Sequence, residues 1–148
     1  MTAYADTSFL VALYVLRDRH HAAAAQAAAA WTAPPRLPLT PFGAVELQSA
    51  LLRLAYRGDL HPGEVRAITH HLARDTADGI FEPCPLHAFQ WMQEADRTTA
   101  LVTPQTGART LDVLHLALAR IHGARVLLSF DGNQRRAALA AGLKVAPV

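Results

Sequence analysis

Arg125-Val126-Leu127-Leu128-Ser129-Phe130-Asp131, continuing through Gly132-Asn133 to Ala140-Ala141-Gly142-Leu143-Lys144-Val145, is the stretch whose reading decides the fold. Arg125 to Ser129 is a short, continuous apolar run closed by turn residues, the pattern of a strand buried on both faces. Asn133 to Ala141 reads as a helix ended by Gly142, and Leu143 to Ala146 as a last strand. Strand, helix and strand joined by short connections argue for a parallel pairing with a crossover helix.

The same alternation extends towards the N-terminus. Ala3 to Asp6 reads as a short buried strand, and Thr7-Ser8 can cap a helix running through Leu16. The Ala-rich stretch Ala22 to Ala30 reads as a helix closing near Trp31, ahead of Pro34-Pro35; its small side chains permit close packing. Arg36 to Thr40 is a short strand. Thr40-Pro41 places an N-cap and a proline at the start of a helix that continues to about Arg57. Gly58 and Pro62 bracket a turn before a helix over Gly63 to Ala77. Ile80 to Glu82 is a strand, His87 to Arg97 a helix, and Thr110 to His122 a helix ended by Gly123. The expected architecture is α/β in three layers, with a central, mostly parallel sheet of about four to five short strands and helices on both faces. No linker, charge block or repeat divides residues 1–148, so one domain is expected.

Four acids interrupt this apolar pattern: Asp6 at the end of the first strand, Glu46 in Phe42-Gly43-Ala44-Val45-Glu46-Leu47, Asp112 in Leu111-Asp112-Val113-Leu114-His115-Leu116, and Asp131 after Phe130. An ionised carboxylate is costly to bury unless paired, hydrogen-bonded or bound to a metal. Taken singly, each has a plain structural reading. Asp6 and Asp131 are good helix caps or turn residues, Asp112 lies in a first helical turn where the macrodipole favours an acid, and Val45, Leu47 and Leu51 suggest that Glu46 lies on a largely buried face. Taken together, two at strand ends and two on helices, they point to one shared site, because ligands of parallel sheets gather beyond the carboxyl ends of the strands. Two unit charges about 4 Å apart repel by on the order of 4 kcal/mol at an effective dielectric of about 20. A divalent cation relieves that repulsion, and all-oxygen ligation suits Mg²⁺ or Mn²⁺ better than zinc. Such a cluster can activate water and stabilise charge on a phosphoryl group.

Composition sets the outer bounds. A hydrophobic fraction of 51% with 18% charged residues describes a globular chain, and the single cysteine, Cys84, excludes an internal disulfide and any Cys-rich zinc site. The net charge is +2, and Lys144 is the only lysine. Arginine suits phosphate recognition, but a bias to arginine and alanine also follows from GC-rich coding. The start lacks a basic segment followed by an apolar one, and no apolar run reaches bilayer-spanning length, so a cytoplasmic protein without membrane contact is expected.

The ordered set Tyr4-Ala5-Asp6-Thr7-Ser8, Glu46, Arg109-Thr110-Leu111-Asp112-Val113-Leu114-His115, Ser129-Phe130-Asp131 and Ala140-Ala141-Gly142-Leu143-Lys144-Val145 resembles PIN-domain ribonucleases of the VapC toxin type over essentially the whole length. The resemblance implies a PIN-like fold and a Mg²⁺- or Mn²⁺-dependent endoribonuclease leaving 3′-hydroxyl and 5′-phosphate ends. It also implies a homodimer and a cognate VapB-like antitoxin that occupies the acidic site. Matched residue by residue, Asp6, Glu46, Asp112 and Asp131 stand for the catalytic, metal-holding acids, and Ser8 for the small hydroxyl residue beside the first. Many relatives carry a further acid two residues after the last aspartate; here Asn133 offers an oxygen without charge.

Around this set, His115 lies one turn after Asp112 and either supports the site or packs in the core. Arg109 and Arg135 are candidates for substrate phosphate, with surface or salt-bridge roles as the alternative. His20-His21 and His70-His71 read as surface, and Trp31, Trp91 and Phe89 as core or dimer residues. Two other functions stay in view. One is a PIN module that binds RNA or a protein without cutting, for which Asn133 speaks. The other is a phosphatase with a nucleophilic aspartate, against which Ser8 speaks, since such enzymes need a second aspartate there.

Overall fold

The computed structural model describes residues 2–30 and 36–148. Its described elements run β1 (Ala3–Ala5), α1 (Thr7–Tyr14), α2 (His21–Ala29), β2 (Leu37–Leu39), α3 (Pro41–Tyr56), α4 (Pro62–Ala77), β3 (Phe81–Pro83), α5 (Ala88–Thr106), α6 (Thr110–Ile121), β4 (Val126–Leu128), α7 (Gly132–Ala140) and β5 (Lys144–Ala146). The expected helix end at Trp31 and the Pro34-Pro35 break lie outside the described residues.

β4 is the centre of a parallel three-stranded sheet, with β1 on one side and β5 on the other. Successive strand residues point to opposite faces, and this alternation builds two cores. Ala3, Ala5, Val126 and Leu128 face Phe9, Leu10, Leu47 and Leu51, on the side of α1 and α3. Tyr4 and Leu127 face the other way, onto Val102, Leu116, Leu118 and Ala138 of α5, α6 and α7. Helices therefore cover both faces, as the apolar strands require. The remaining pair, β2 with β3, is also parallel, and β2 lies beside β1. Among the described residues the five strands thus form two parallel sheets, of three and two strands, where one sheet of four to five is the simplest expectation.

Local chemistry explains the boundaries. Thr40 accepts a hydrogen bond from Gly43 N at 3.1 Å and Pro41 opens α3, as its sequence implies. The cap of α1 is Asp6 and not Thr7 or Ser8. Ala24 of the Ala-rich α2 is fully buried, and the helix packs against α1.

The largest departure is α5, which continues to Thr106, well past Arg97. Thr98-Thr99 and Pro104 weaken its intrinsic helix propensity, but Ala95, Thr98 and Val102 are buried, and the helix packs along α6. Thr99 and Thr106 donate to the carbonyls of Ala95 and Val102, so their hydroxyls are satisfied within the helix. Gly107, at φ +66°, closes it in the left-handed conformation that glycine adopts without strain. Val102→Asp is expected to destabilise the protein by about 3 kcal/mol or more, whereas Leu101→Asp on the outer side of the same turn changes stability by less than about 1 kcal/mol. Urea unfolding of the two variants checks this.

Candidate functional site

Asp6 stands at the carboxyl end of β1, and its backbone N–H still pairs with Leu128 O at 3.0 Å, which sets its carboxylate beside the end of β4. The residue is 4% exposed. Its Oδ1 accepts from Phe9 N at 2.9 Å and from the Ser8 hydroxyl at 2.7 Å, and its Oδ2 accepts from the Ser129 hydroxyl. The two serines connect it to the β4–α7 turn. Ser8 Oγ accepts from Phe130 N at 2.9 Å and Ser129 Oγ from Asp131 N at 3.1 Å. Burial pushes the Asp6 carboxyl above its usual range, against the opposing pull of Ser129, Ser8, Phe9 N and His115.

Glu46 comes from α3. Gly43, Leu47 and Leu51 form the buried spine of that helix, and Glu46 lies beside it, partly exposed. Its Oε2 accepts from Thr7 Oγ1 at 3.0 Å and from His115 Nε2. Val45 does not share its environment: with Leu52 and Tyr56 it is largely exposed. Burial alone would raise the Glu46 carboxyl, but the hydrogen bonds and charge of His115, with help from Thr7, outweigh it and hold the group below its usual value.

His115 is buried, as a core histidine would be, yet it is fully hydrogen-bonded. Tyr4 OH lies 3.0 Å from its Nδ1. Burial, then the charges of Asp6 and Glu46, push the Tyr4 hydroxyl far up, so it keeps its proton. On the other side of the ring, Nε2 meets Glu46 Oε2. Phe42 packs on the same imidazole with ring centroids 5.0 Å apart.

Asp112 and Asp131 are helix-start residues. Asp112 Oδ2 accepts from Arg109 N at 3.0 Å in the first turn of α6. Asp131 caps α7, its Oδ1 accepting from Asn133 N at 2.7 Å and Gln134 N at 3.1 Å. Gln134, 2% exposed, joins the two helix starts by donating from Nε2 to Asp112 O at 3.1 Å. The N-termini of α1, α6 and α7 are thereby tied together at one end of the sheet, where the helix dipoles favour negative charge.

Two of the other candidates have structural duties. Arg135 Nη1 donates to the carbonyls of Ser129 and Pro147, both at 2.8 Å, so this guanidinium fastens the end of β4 to the C-terminal segment. Arg136 donates to the side-chain oxygen of the exposed Asn133. Arg109 is exposed, and its guanidinium makes no ion pair among the described residues. Trp91 donates from Nε1 to Leu114 O at 3.1 Å, while Phe89 is largely exposed. Four residues stood outside the acid pattern: Tyr4, Thr7, Ser129 and Gln134. Gln134 was findable, because it shares a helical face with Ala137 and Ala138, both buried.

The donor chemistry fits a hard divalent cation. Glu46, Asp112 and Asp131 each engage one carboxylate oxygen in the bonds above and leave the other without a hydrogen bond among the described residues. The convergence is looser than a finished cage: among the described residues no group of three or more His, Cys, Asp or Glu side chains stands where it could hold a metal ion.

A parallel sheet covered by helices on both faces is shared with known proteins. The PIN domain family model matches residues 3–139, and the chain belongs to that family. Solved structures share the fold. The Mycobacterium tuberculosis toxin VapC20, described as cleaving the sarcin–ricin loop, is 20% identical with a TM-score of 0.67, covering 99% of this chain and 100% of its own. PAE2754 from Pyrobaculum aerophilum is 19% identical with a TM-score of 0.61 over 98% of this chain and 83% of its own. A chain of a Klebsiella pneumoniae toxin–antitoxin complex is 14% identical with a TM-score of 0.58, over 99% and 97%. At these identities the likeness is one of fold. No curated protein matches the chain in sequence. Among the described residues no helix is long and apolar enough to cross a membrane.

The raised Asp6 carboxyl makes a stability prediction. A folded-state value above the unfolded one contributes stability below the ordinary carboxylate range, and that contribution is lost as pH rises through the folded value. In chelator, Asp6→Asn should therefore melt higher than the wild type at neutral pH, by about 2–4 °C for each kcal/mol relieved, with the gap closing at acidic pH. Thermal unfolding across pH measures it.

Proposed function

We propose that this chain is a metal-dependent endoribonuclease whose site is formed by Asp6, Glu46, Asp112 and Asp131, and that it is the toxin of a VapBC-type pair. The observation that carries the reading is the Asp6 carboxylate. It is buried, costly to ionise, and held at the sheet's carboxyl end beside the start of α7, with Glu46 and Asp112 reaching the same end through His115 and Gln134. Membership of a family that includes nucleases, and a fold shared with toxin structures, support it.

The free oxygens of Asp112, Asp131 and Glu46, with Asp6, are the groups that would hold Mg²⁺ or Mn²⁺. When bound, such an ion supplies Lewis-acid stabilisation and lowers the pKa of water. The chain's own residues set the rest. Ser8, Ser129 and Phe9 N fix Asp6 in one orientation. His115 and Thr7 fix Glu46 by Oε2, leaving Oε1 to accept the proton of the attacking water. Water attacks phosphorus, the bond from phosphorus to the 3′-oxygen breaks, and that oxygen takes up a proton. The products are a 3′-hydroxyl and a 5′-phosphate. The same acids would attract an arginine or lysine of an antitoxin laid over the Asp6/Asp112 region, which blocks substrate directly. The Klebsiella match to a toxin–antitoxin complex supports such a partner. A homodimer belongs to the same proposal.

A second reading, a PIN module that binds RNA without cutting, is favoured by the uncharged Asn133 and by the loose convergence of the acids. Purified protein free of any antitoxin, incubated with structured RNAs including tRNAs in Mg²⁺ or Mn²⁺, separates the two. Cleavage is expected, abolished by chelator and reduced about 100-fold or more in Asp6→Asn and Asp112→Asn. Full activity in chelator or in both variants would remove the proposed mechanism, and RNA binding with no cleavage in Mn²⁺ would favour the second reading.

A further inference from the structure

Beside the acids runs a cavity of about 710 Å³ whose walls come from the α1–α2 connection, α3 and the start of α7. Thr7, Ser8 and Asp131 line its catalytic side, and Arg19, His20, Arg53, Arg57 and Phe130 line the remainder. Two physical features distinguish it.

The first is the order of charge along α3. Glu46, Ala50, Arg53, Leu54 and Arg57 are spaced so that they share one helical face. At 1.5 Å per residue, Arg53 lies about 10 Å and Arg57 about 16 Å along the axis from Glu46. Arg53 makes no ion pair among the described residues. Arg57 pairs only with Asp59, at 3.2 Å, both side chains being more than half exposed, and such a pair gives way readily to a phosphate. The acids facing the cavity, Asp18 and Asp131, each accept backbone N–H bonds, at His20 N and at Asn133 and Gln134 N.

The second is a stack of rings. Phe130 lies nearly parallel to the fully buried Phe9, at 9° with centroids 5.9 Å apart, and nearly parallel to His20, at 7° and 4.4 Å. Arg19 Nε donates to His20 Nε2 at 3.0 Å and holds the ring in place. His20 is therefore no ordinary surface histidine: it and Phe130 form a ring platform anchored on the core and open to the cavity.

We infer that this groove takes an unpaired stretch of the substrate RNA, with Arg53 and Arg57 holding phosphates beyond the scissile one and the His20–Phe130 platform stacking a base. The inference rests on the ribonuclease reading above. A base inside a duplex already has both faces stacked, so only an unpaired one can use the platform. Stacking tolerates any base, so the groove selects strand state more than sequence.

The test measures binding apart from cleavage. Fluorescence anisotropy in chelator, with a labelled single-stranded RNA and its duplex, compares wild type, Arg53→Ala/Arg57→Ala, Arg53→Lys/Arg57→Lys, His20→Ala, and Arg74→Ala on α4 as a control. The alanine pair should weaken single-strand binding at least ten-fold and lower the salt slope by about 0.7 for each phosphate left without its arginine, the lysine pair recovering the slope. His20→Ala should weaken single-strand binding at least five-fold with the slope unchanged, and leave duplex binding as it was. Circular dichroism confirms that each variant is folded. Unchanged affinity in the folded alanine pair, or an equal effect of His20→Ala on both strand states, would overturn the groove. Wild type that binds in this way but never cleaves in Mn²⁺ would overturn the nuclease reading and leave the groove standing. Wild type that cleaves while the groove variants bind unchanged would do the reverse.

Discussion

One buried carboxylate organises this protein. Asp6 ends β1, caps α1, and through Ser8 and Ser129 holds the turn that starts α7. Its burial raises the cost of its charge, and four groups, Ser8, Ser129, Phe9 N and the nearby His115, offset part of that cost without cancelling it. The result is a polar knot set between two apolar cores, at the end of the sheet where the helix starts also gather. A carboxylate kept under such tension is poorly used as a mere cap, since serine or threonine would serve there without the charge.

Around that knot, the other acids are placed by different means. Glu46 is aimed by His115, which is in turn held by Tyr4, so a chain of three hydrogen-bonding side chains crosses from β1 through α6 to α3. Asp112 and Asp131 sit at helix starts linked by the buried Gln134 amide. Helix dipoles and backbone N–H groups already favour negative charge at these positions. In the proposed reading a hard cation would add to an arrangement the fold has half prepared, although among the described residues no three acids stand close enough to hold it.

The same helix that carries Glu46 carries Arg53 and Arg57 on one face, so in the proposed reading a single element would join the acid site to the groove beside it. Its opposite flank, with Val45, Leu52 and Tyr56 exposed, shows how strongly helical rotation separates neighbours in sequence. Residue 45 and residue 46 lie about 100° apart around the axis, and reading the burial of one from the other fails for that reason.

Much of the fold was legible from local pattern alone. The apolar run of β4, the Thr40-Pro41 start of α3 and the glycines after α6 and α7 act within a few residues, and each marks its element as the sequence suggests. The order of Asp6, Glu46, Asp112 and Asp131 was legible for the same reason, since an acid in an apolar run stands out whatever surrounds it. Contacts between distant segments were not. Arg97 looked like the end of a helix until packing along α6 carried α5 to Thr106. Arg135 looked free for phosphate until the end of β4 and the C-terminal segment engaged it, and His20 looked like surface until Phe130 came beneath it. The sequence by itself determined which elements form and which acids are unusual, because propensity, capping and hydropathy are properties of neighbouring residues. Only the tertiary structure decided which side chains are satisfied, which remain open, and that a ring platform lies beside the acids, because those depend on partners up to 123 positions away.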